Sequence, residues 1–169
     1  NATLRAAFFL LVLDYVWLNY VAVSFYDSKI KAINGNSTGN VAGVAFQYRR
    51  YSILLTYLVM IYGLHKFVLP LLTPSSTFKE VFDLTKTYGL IVYGAFNFTN
   101  HAVIDKWDGA ITCLDLTWGI TLITAATWLA LKSGKAYDSD DEDDDFGLSD
   151  KKVISKSSMK TKDDFDDDD

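Results

Sequence analysis

Four stretches of the chain, residues 4–25, 51–72, 84–104 and 110–131, are each about as long as a helix must be to cross the hydrocarbon of a bilayer, roughly 20 mostly apolar residues. The first reads LRAAFFLLVLDYVWLNYVAVSF and is apolar around its whole circumference. A helix of a water-soluble bundle keeps a charged outer face, and these segments have almost none. The expected fold is therefore all-α, an integral membrane four-helix bundle in contact with the lipid bilayer.

The edges of the four stretches fit that reading. Tyr and Trp favour the membrane–water boundary, and Tyr26, Tyr48, Tyr51, Tyr88 and Trp107 fall near the expected ends. Pro70 and Pro74 close the second stretch, where a helix can stop without losing interior hydrogen bonds. Lys66 sits close enough to that end to snorkel outward, and His65 reads as its polar neighbour rather than as a ligand. Arg5 followed by AAFFLLVL has the look of a secretory leader, but the apolar run continues to Tyr26 without a small-residue cleavage site, so a retained anchor is expected. The longest connection joins the first two spans. Its Asn, Gly, Ser and Thr residues signal turns, with a short interfacial helix expected over 27–33. Asn36, Ser37 and Thr38 form an acceptor sequon there, which suits a lumenal loop. Four crossings place both termini on one side, and the sequon and the tail together favour the cytoplasmic side.

Charge divides the chain in two. Residues 138–169 hold 14 acidic residues and five Lys, a net of −9, while residues 1–137 carry a net of +4. We read 1–135 as the membrane domain and 136–169 as a disordered acidic tail, too poor in apolar residues to build a core. Ser139 ahead of acidic residues fits an acidophilic kinase. A basic protein is the natural partner of such a tail, and nucleic acid, itself anionic, is not. With Cys113 alone, the chain has no intrachain disulfide and no multi-thiolate metal site.

Polar groups inside the apolar stretches carry what can be read of function. Positions three and four apart share a helix face. Tyr93, Asn97 and Asn100 therefore line up on the third span, Asp115 and Trp118 on the fourth, and Asp14 and Trp17 on the first. The first and fourth spans repeat Leu-Asp-x-x-Trp, as LDYVWL at 13–18 and LDLTWG at 114–119. An ionised Asp at the centre of a spanning helix costs about 2.5–3.5 kcal/mol on insertion scales. Such residues face the bundle interior or a cavity and often mark a pathway. Amide donors opposite carboxylates are a sound pairing, so spans one, three and four are expected to pack with these groups together. The plainer alternative is interhelical adhesion, which needs only neutral residues.

The stretches LDYVWLNYVAVSFY, YGAFNFTNHAVIDKW and LDLTWG resemble the predicted membrane-protein family called domain of unknown function 2177. Its motifs correspond here to Asp14, Trp17, Leu18, Phe25 and Tyr26, to Tyr93, Thr99, Asn100 and Trp107, and to Asp115, Trp118 and Gly119. The resemblance covers residues 4–131 and implies four spans. It departs at Asn97, where the family has Asp, so one protonatable group is missing here.

Three functions compete. The cluster of Asp14, Trp17, Tyr93, Asn97, Asn100, Asp115 and Trp118 binds or conducts an ion, a proton or a small solute, in which case four helices are few and a homo-oligomer is expected. Alternatively the chain is a structural or assembly protein that recruits partners through its tail. Last comes a membrane-embedded lipid or isoprenoid enzyme. The sequence has no HExxH, phosphate loop, DDxxD pair or Ser/His/Asp array, and His65 and His101 fall in different spans. The residues therefore name no cofactor.

Overall fold

The computed structural model describes residues 1–35 and 49–143, all of them in helices, turns or short connections. Tyr48, the sequon at Asn36 and residues 144–169 lie outside the described residues. The chain divides into two compact units, 1–135 and 136–169, and the first holds the apolar rods.

Helix α1 spans Ala2–Val16, opened by the Asn1 side chain, which accepts from the Thr3 amide. A π-helical turn, Trp17–Val21, continues it. Ala22 then breaks the helix at φ −106° and ψ 5°, and α2 begins at Val23 and runs to Asn34. The expected first span, residues 4–25, thus contains a break at Ala22, and its last residues, through Phe25, belong to α2. Gly35 closes α2 at φ 78°, a left-handed conformation that glycine adopts without a Cβ penalty. α3 covers Arg50–Phe67 and passes into a 3₁₀ turn, Leu69–Leu71, that accommodates Pro70.

α4, Phe78–Gly89, starts with a capping box in which Thr77 and Glu80 satisfy each other's backbone amides. A π turn, Leu90–Gly94, joins it to α5, Ala95–Val103, so that Phe78–Val103 forms one unbroken rod. α6 covers Gly109–Asp143, and Asp108 Oδ1 accepts from the Ile111 amide at its start. Helical hydrogen bonding thus persists beyond residue 131, where the apolar run ends.

Three rods, Ala2–Val21, Arg50–Leu71 and Gly109–Gly134, are long and apolar enough to cross a membrane. The fourth, Phe78–Val103, is as long, but Lys86, Asn97, Asn100 and His101 dilute its apolar content. Large apolar side chains such as Leu55, Val59, Phe67, Leu71, Ile91 and Val103 are more than 60% exposed. A water-soluble monomer rarely shows so much contiguous apolar surface, and a bilayer covers it.

The end of the bundle nearest the N-terminus is close-packed. Ala6, Leu64, Val81, Ile123 and Ala130 form a core with at most 1% exposure. Gly89 lets its rod approach α6 so closely that a Cβ there would stand 3.0 Å from the Ile120 Cα, the use of small residues expected where helices meet in lipid. Thr85 and Thr124 hydroxyls bridge the same two helices at 2.8 Å. His65 Nδ1 lies 2.9 Å from the Thr3 hydroxyl, and Arg5 Nε donates to the Ala130 carbonyl at 2.9 Å.

Candidate functional site

The polar groups gather at the other end, toward Val21, Arg50, Val103 and Gly109. Counting residues from these ends places Asp14, Tyr57, Asn97 and Asp115 at six or seven positions inward. At 1.5 Å per residue each therefore lies roughly 9–10 Å along its helix. Four elements deliver one side chain apiece to a common depth.

Each carboxylate accepts two hydrogen bonds from neutral groups. Asp14 Oδ1 accepts from Trp118 Nε1 at 2.8 Å and Oδ2 from the Tyr57 hydroxyl at 2.6 Å. Asp115 Oδ1 accepts from the Tyr26 hydroxyl at 2.7 Å and Oδ2 from Asn97 Nδ2 at 2.5 Å. Asp14 is 8% exposed and Asn97 is fully buried. The same Asn97 amide donates to the Tyr93 carbonyl, while its Oδ1 is shielded from solvent and has no partner. Among the described residues no Lys, Arg or His pairs with either carboxylate.

The repeated Leu-Asp-x-x-Trp explains part of this geometry. Trp118, three residues after Asp115, donates to the Asp of the other helix and stacks on Trp17 with ring centroids 4.1 Å apart and planes 7° from parallel. The arrangement is not reciprocal. Trp17 Nε1 is shielded and makes no hydrogen bond of good geometry. Gly119 completes the motif for a steric reason, since a Cβ there would run into the Tyr93 ring. Both π turns border the cluster, one beginning at Trp17 and the other containing Tyr93. π-bulges recur at functional sites because the extra residue re-aims side chains within a helix.

A cavity of about 370 Å³ opens beside the carboxylates, lined by Asp14 and Asp115 together with Tyr57, Tyr93, Phe96 and Trp118. Apolar residues from three helices, among them Ile53, Met60 and Val92, complete it. No group of three or more His, Cys, Asp or Glu side chains suited to a metal occurs among the described residues. Outside the spans, Lys29 pairs with Asp108 and ties α2 to the start of α6. The Lys29 ammonium, with help from the Ile111 amide, holds the Asp108 carboxyl below its ordinary range.

Of the residues singled out from sequence, Asp14, Trp17, Tyr93, Asn97, Asp115 and Trp118 come together. Asn100 does not join them. It lies one turn further out, half-buried, with no side-chain hydrogen bond to the cluster among the described residues. Sequence reasoning misses Tyr57, and it gives Tyr26 only as a boundary aromatic and a motif residue, not as a member of the cluster. Tyr57 could have been flagged as a hydroxyl seven residues inside a span, too deep for a boundary residue. Tyr26 does sit near a boundary and turns back to Asp115 only because α2 starts after Ala22.

The apolar rods and their inward-facing polar groups define an α-helical integral membrane protein. The chain belongs to the predicted membrane protein family DUF2177, whose family model matches residues 2–132. No curated protein and no solved structure matches it.

Proposed function

We propose that this protein takes up a positive charge, a proton or a cation, at Asp14 and Asp115 and moves it between the two sides of the bilayer. One observation carries the reading: two carboxylates line a single cavity, solvated only by neutral O–H and N–H donors. Two negative charges sharing a low-dielectric site repel each other strongly, and each bears the insertion cost of an intramembrane acid. A bound proton or cation relieves both penalties. Adhesion alone would be met by neutral pairs such as Thr85 with Thr124. The unpartnered Asn97 Oδ1 adds an acceptor beside Asp115, and a buried acceptor without a donor calls for an explanation.

In this reading the rod Phe78–Val103 is a fourth crossing, both termini face the cytoplasm, and a second copy of the chain completes the pathway. The test is reconstitution in proteoliposomes under a pH gradient and a membrane potential. Cation or proton flux should fall at least tenfold in the Asp14→Asn, Asp115→Asn double variant while the amount of folded protein stays within twofold. Unchanged flux in that variant rejects the assignment. Loss of folded protein instead of flux points to assembly.

A further inference from the structure

Resting on that reading, we infer that the charge taken up is carried by an organic cation with an apolar body, an amine or quaternary ammonium seated in the cavity with its charged end toward Asp14 and Asp115. Size is the first reason. A cavity of about 370 Å³ falls in the range of small-molecule sites, roughly 300–1,000 Å³. A hard metal ion instead needs about six or more oxygens at 2.0–2.6 Å. Here the charged oxygens come from two residues, each already engaged by two donors.

The walls are the second reason. Ile53, Met60 and Val92 would strip water from an inorganic ion and offer no ligand in return, yet they suit a hydrocarbon body. Tyr57, Phe96 and Trp118 supply aromatic surface beside the acids. Ring faces attract ammonium groups by about 0.5–2 kcal/mol, more when water is excluded, and aromatic walls are a recurrent way of holding them.

A second cavity in the same molecule provides the contrast. It has about 350 Å³ and is also aromatic, formed by Phe78, Phe82 and Trp128 with small and apolar neighbours. No carboxylate lines it, and the Trp128 ring is already covered by the Lys132 ammonium at 4.2 Å. Its volume and aromatic walls match the first cavity, but it holds no anion and its Trp ring already has a cation. Any organic-cation binding is therefore expected in the cavity of Asp14 and Asp115.

The test is isothermal titration of the full chain in nonionic detergent, with protein-free detergent subtracted. The probes are benzyltrimethylammonium, its uncharged carbon isostere neopentylbenzene, and sodium. Saturable binding of the charged organic probe is expected, at least tenfold tighter than that of the isostere or of sodium. Asp115→Asn should weaken it at least tenfold, and so should Val92→Trp, which fills the cavity and leaves both acids in place. No saturable binding, or equal binding of the isostere, overturns the inference, as does binding indifferent to both substitutions. If a variant fails to fold, the wild-type comparison of charged probe and isostere decides alone. Infrared carboxyl bands followed across pH separate the two levels. If Asp14 or Asp115 titrates while organic cations fail to bind, the inference falls and uptake of a proton or inorganic cation stands. If the bands are silent and no probe binds, both fall.

Discussion

The two ends of one bundle solve the same packing problem with different chemistry. Near the N-terminus the rods meet through small and apolar residues, with a glycine against a backbone, one hydroxyl pair between Phe78–Val103 and α6, and Arg5 and His65 bonded to neutral oxygens rather than to an acid. Near the loop end the same rods meet through two carboxylates, three aromatic donors and an amide, and they leave a cavity between them. Helices in lipid adhere well enough by the first method, because typical interhelical hydrogen bonds contribute only about 0.6 kcal/mol. The second method adds intramembrane charge that adhesion does not require. In the proposed reading, the difference between the ends sets the acids apart for function and the hydroxyls for assembly.

The largest effect on stability should come where the loop end depends on tight packing. Gly119→Val places a branched side chain where the Tyr93 ring already lies. Overpacking of this kind costs about 1–3 kcal/mol, and the ring it displaces covers the cluster. A thermal melt in detergent should show a clear fall in midpoint, and an unchanged midpoint would mean that Tyr93 moves aside freely. Replacing the acids should do nearly the opposite. Asp14→Asn and Asp115→Asn each keep one acceptor oxygen, for Trp118 and Asn97, and turn an amide N–H toward the Tyr57 and Tyr26 hydroxyls, which can accept it. Stability should therefore change by less than about 1 kcal/mol while charge-dependent flux falls at least tenfold. A destabilisation as large as that of Gly119→Val would turn the comparison around and make the acids structural.

The hydroxyl pair sharpens the contrast from the other end. Thr85→Val keeps the shape and removes the bridge to Thr124. A loss of about 0.6 kcal/mol is expected, with flux untouched. If flux falls together with stability, the two ends are mechanically coupled and the split between assembly and function is too sharp.

Legibility in the sequence divides along the same line. The apolar rods were legible because bilayer thickness fixes helix length, and Asp14, Asp115 and Asn97 stood out as polar groups at helical spacing inside them. Which helix faces which is not encoded in periodicity, so Tyr57 gave no sign that it would reach Asp14. Tyr26 looked like a boundary aromatic, and only the break at Ala22 explains its turn inward. Asn100 shared a helical face with Asn97 on paper. The Asn97 amide, however, is committed to Asp115 and the Tyr93 carbonyl, leaving Asn100 one turn beyond the donors' reach. The π turn at Leu90–Gly94 adds to the difficulty, because an extra residue rotates every later side chain relative to those before it.

The smallest effect concerns α2, the element that carries Tyr26 to Asp115. A further tie is the Lys29–Asp108 pair, which lies outside the spans and answers to pH. The Lys29 ammonium lowers the Asp108 carboxyl below its ordinary value near 3.8. A carboxyl depressed in the folded state contributes stability that is fully present above its unfolded value and is lost as pH falls through the lower folded value. Hydrogen-exchange protection of α2 should therefore stay level from neutral pH down to about the ordinary carboxylate range and decline only below it. In Lys29→Gln protection should already be lower at neutral pH, and the acid decline should be smaller and end at higher pH, since the main cause of the depression is gone and only the Ile111 and Ala110 amides remain. Titration of Asp108 by carbon NMR checks the cause directly. An ordinary value in the wild-type chain would show that the pair does not hold in the membrane-embedded protein.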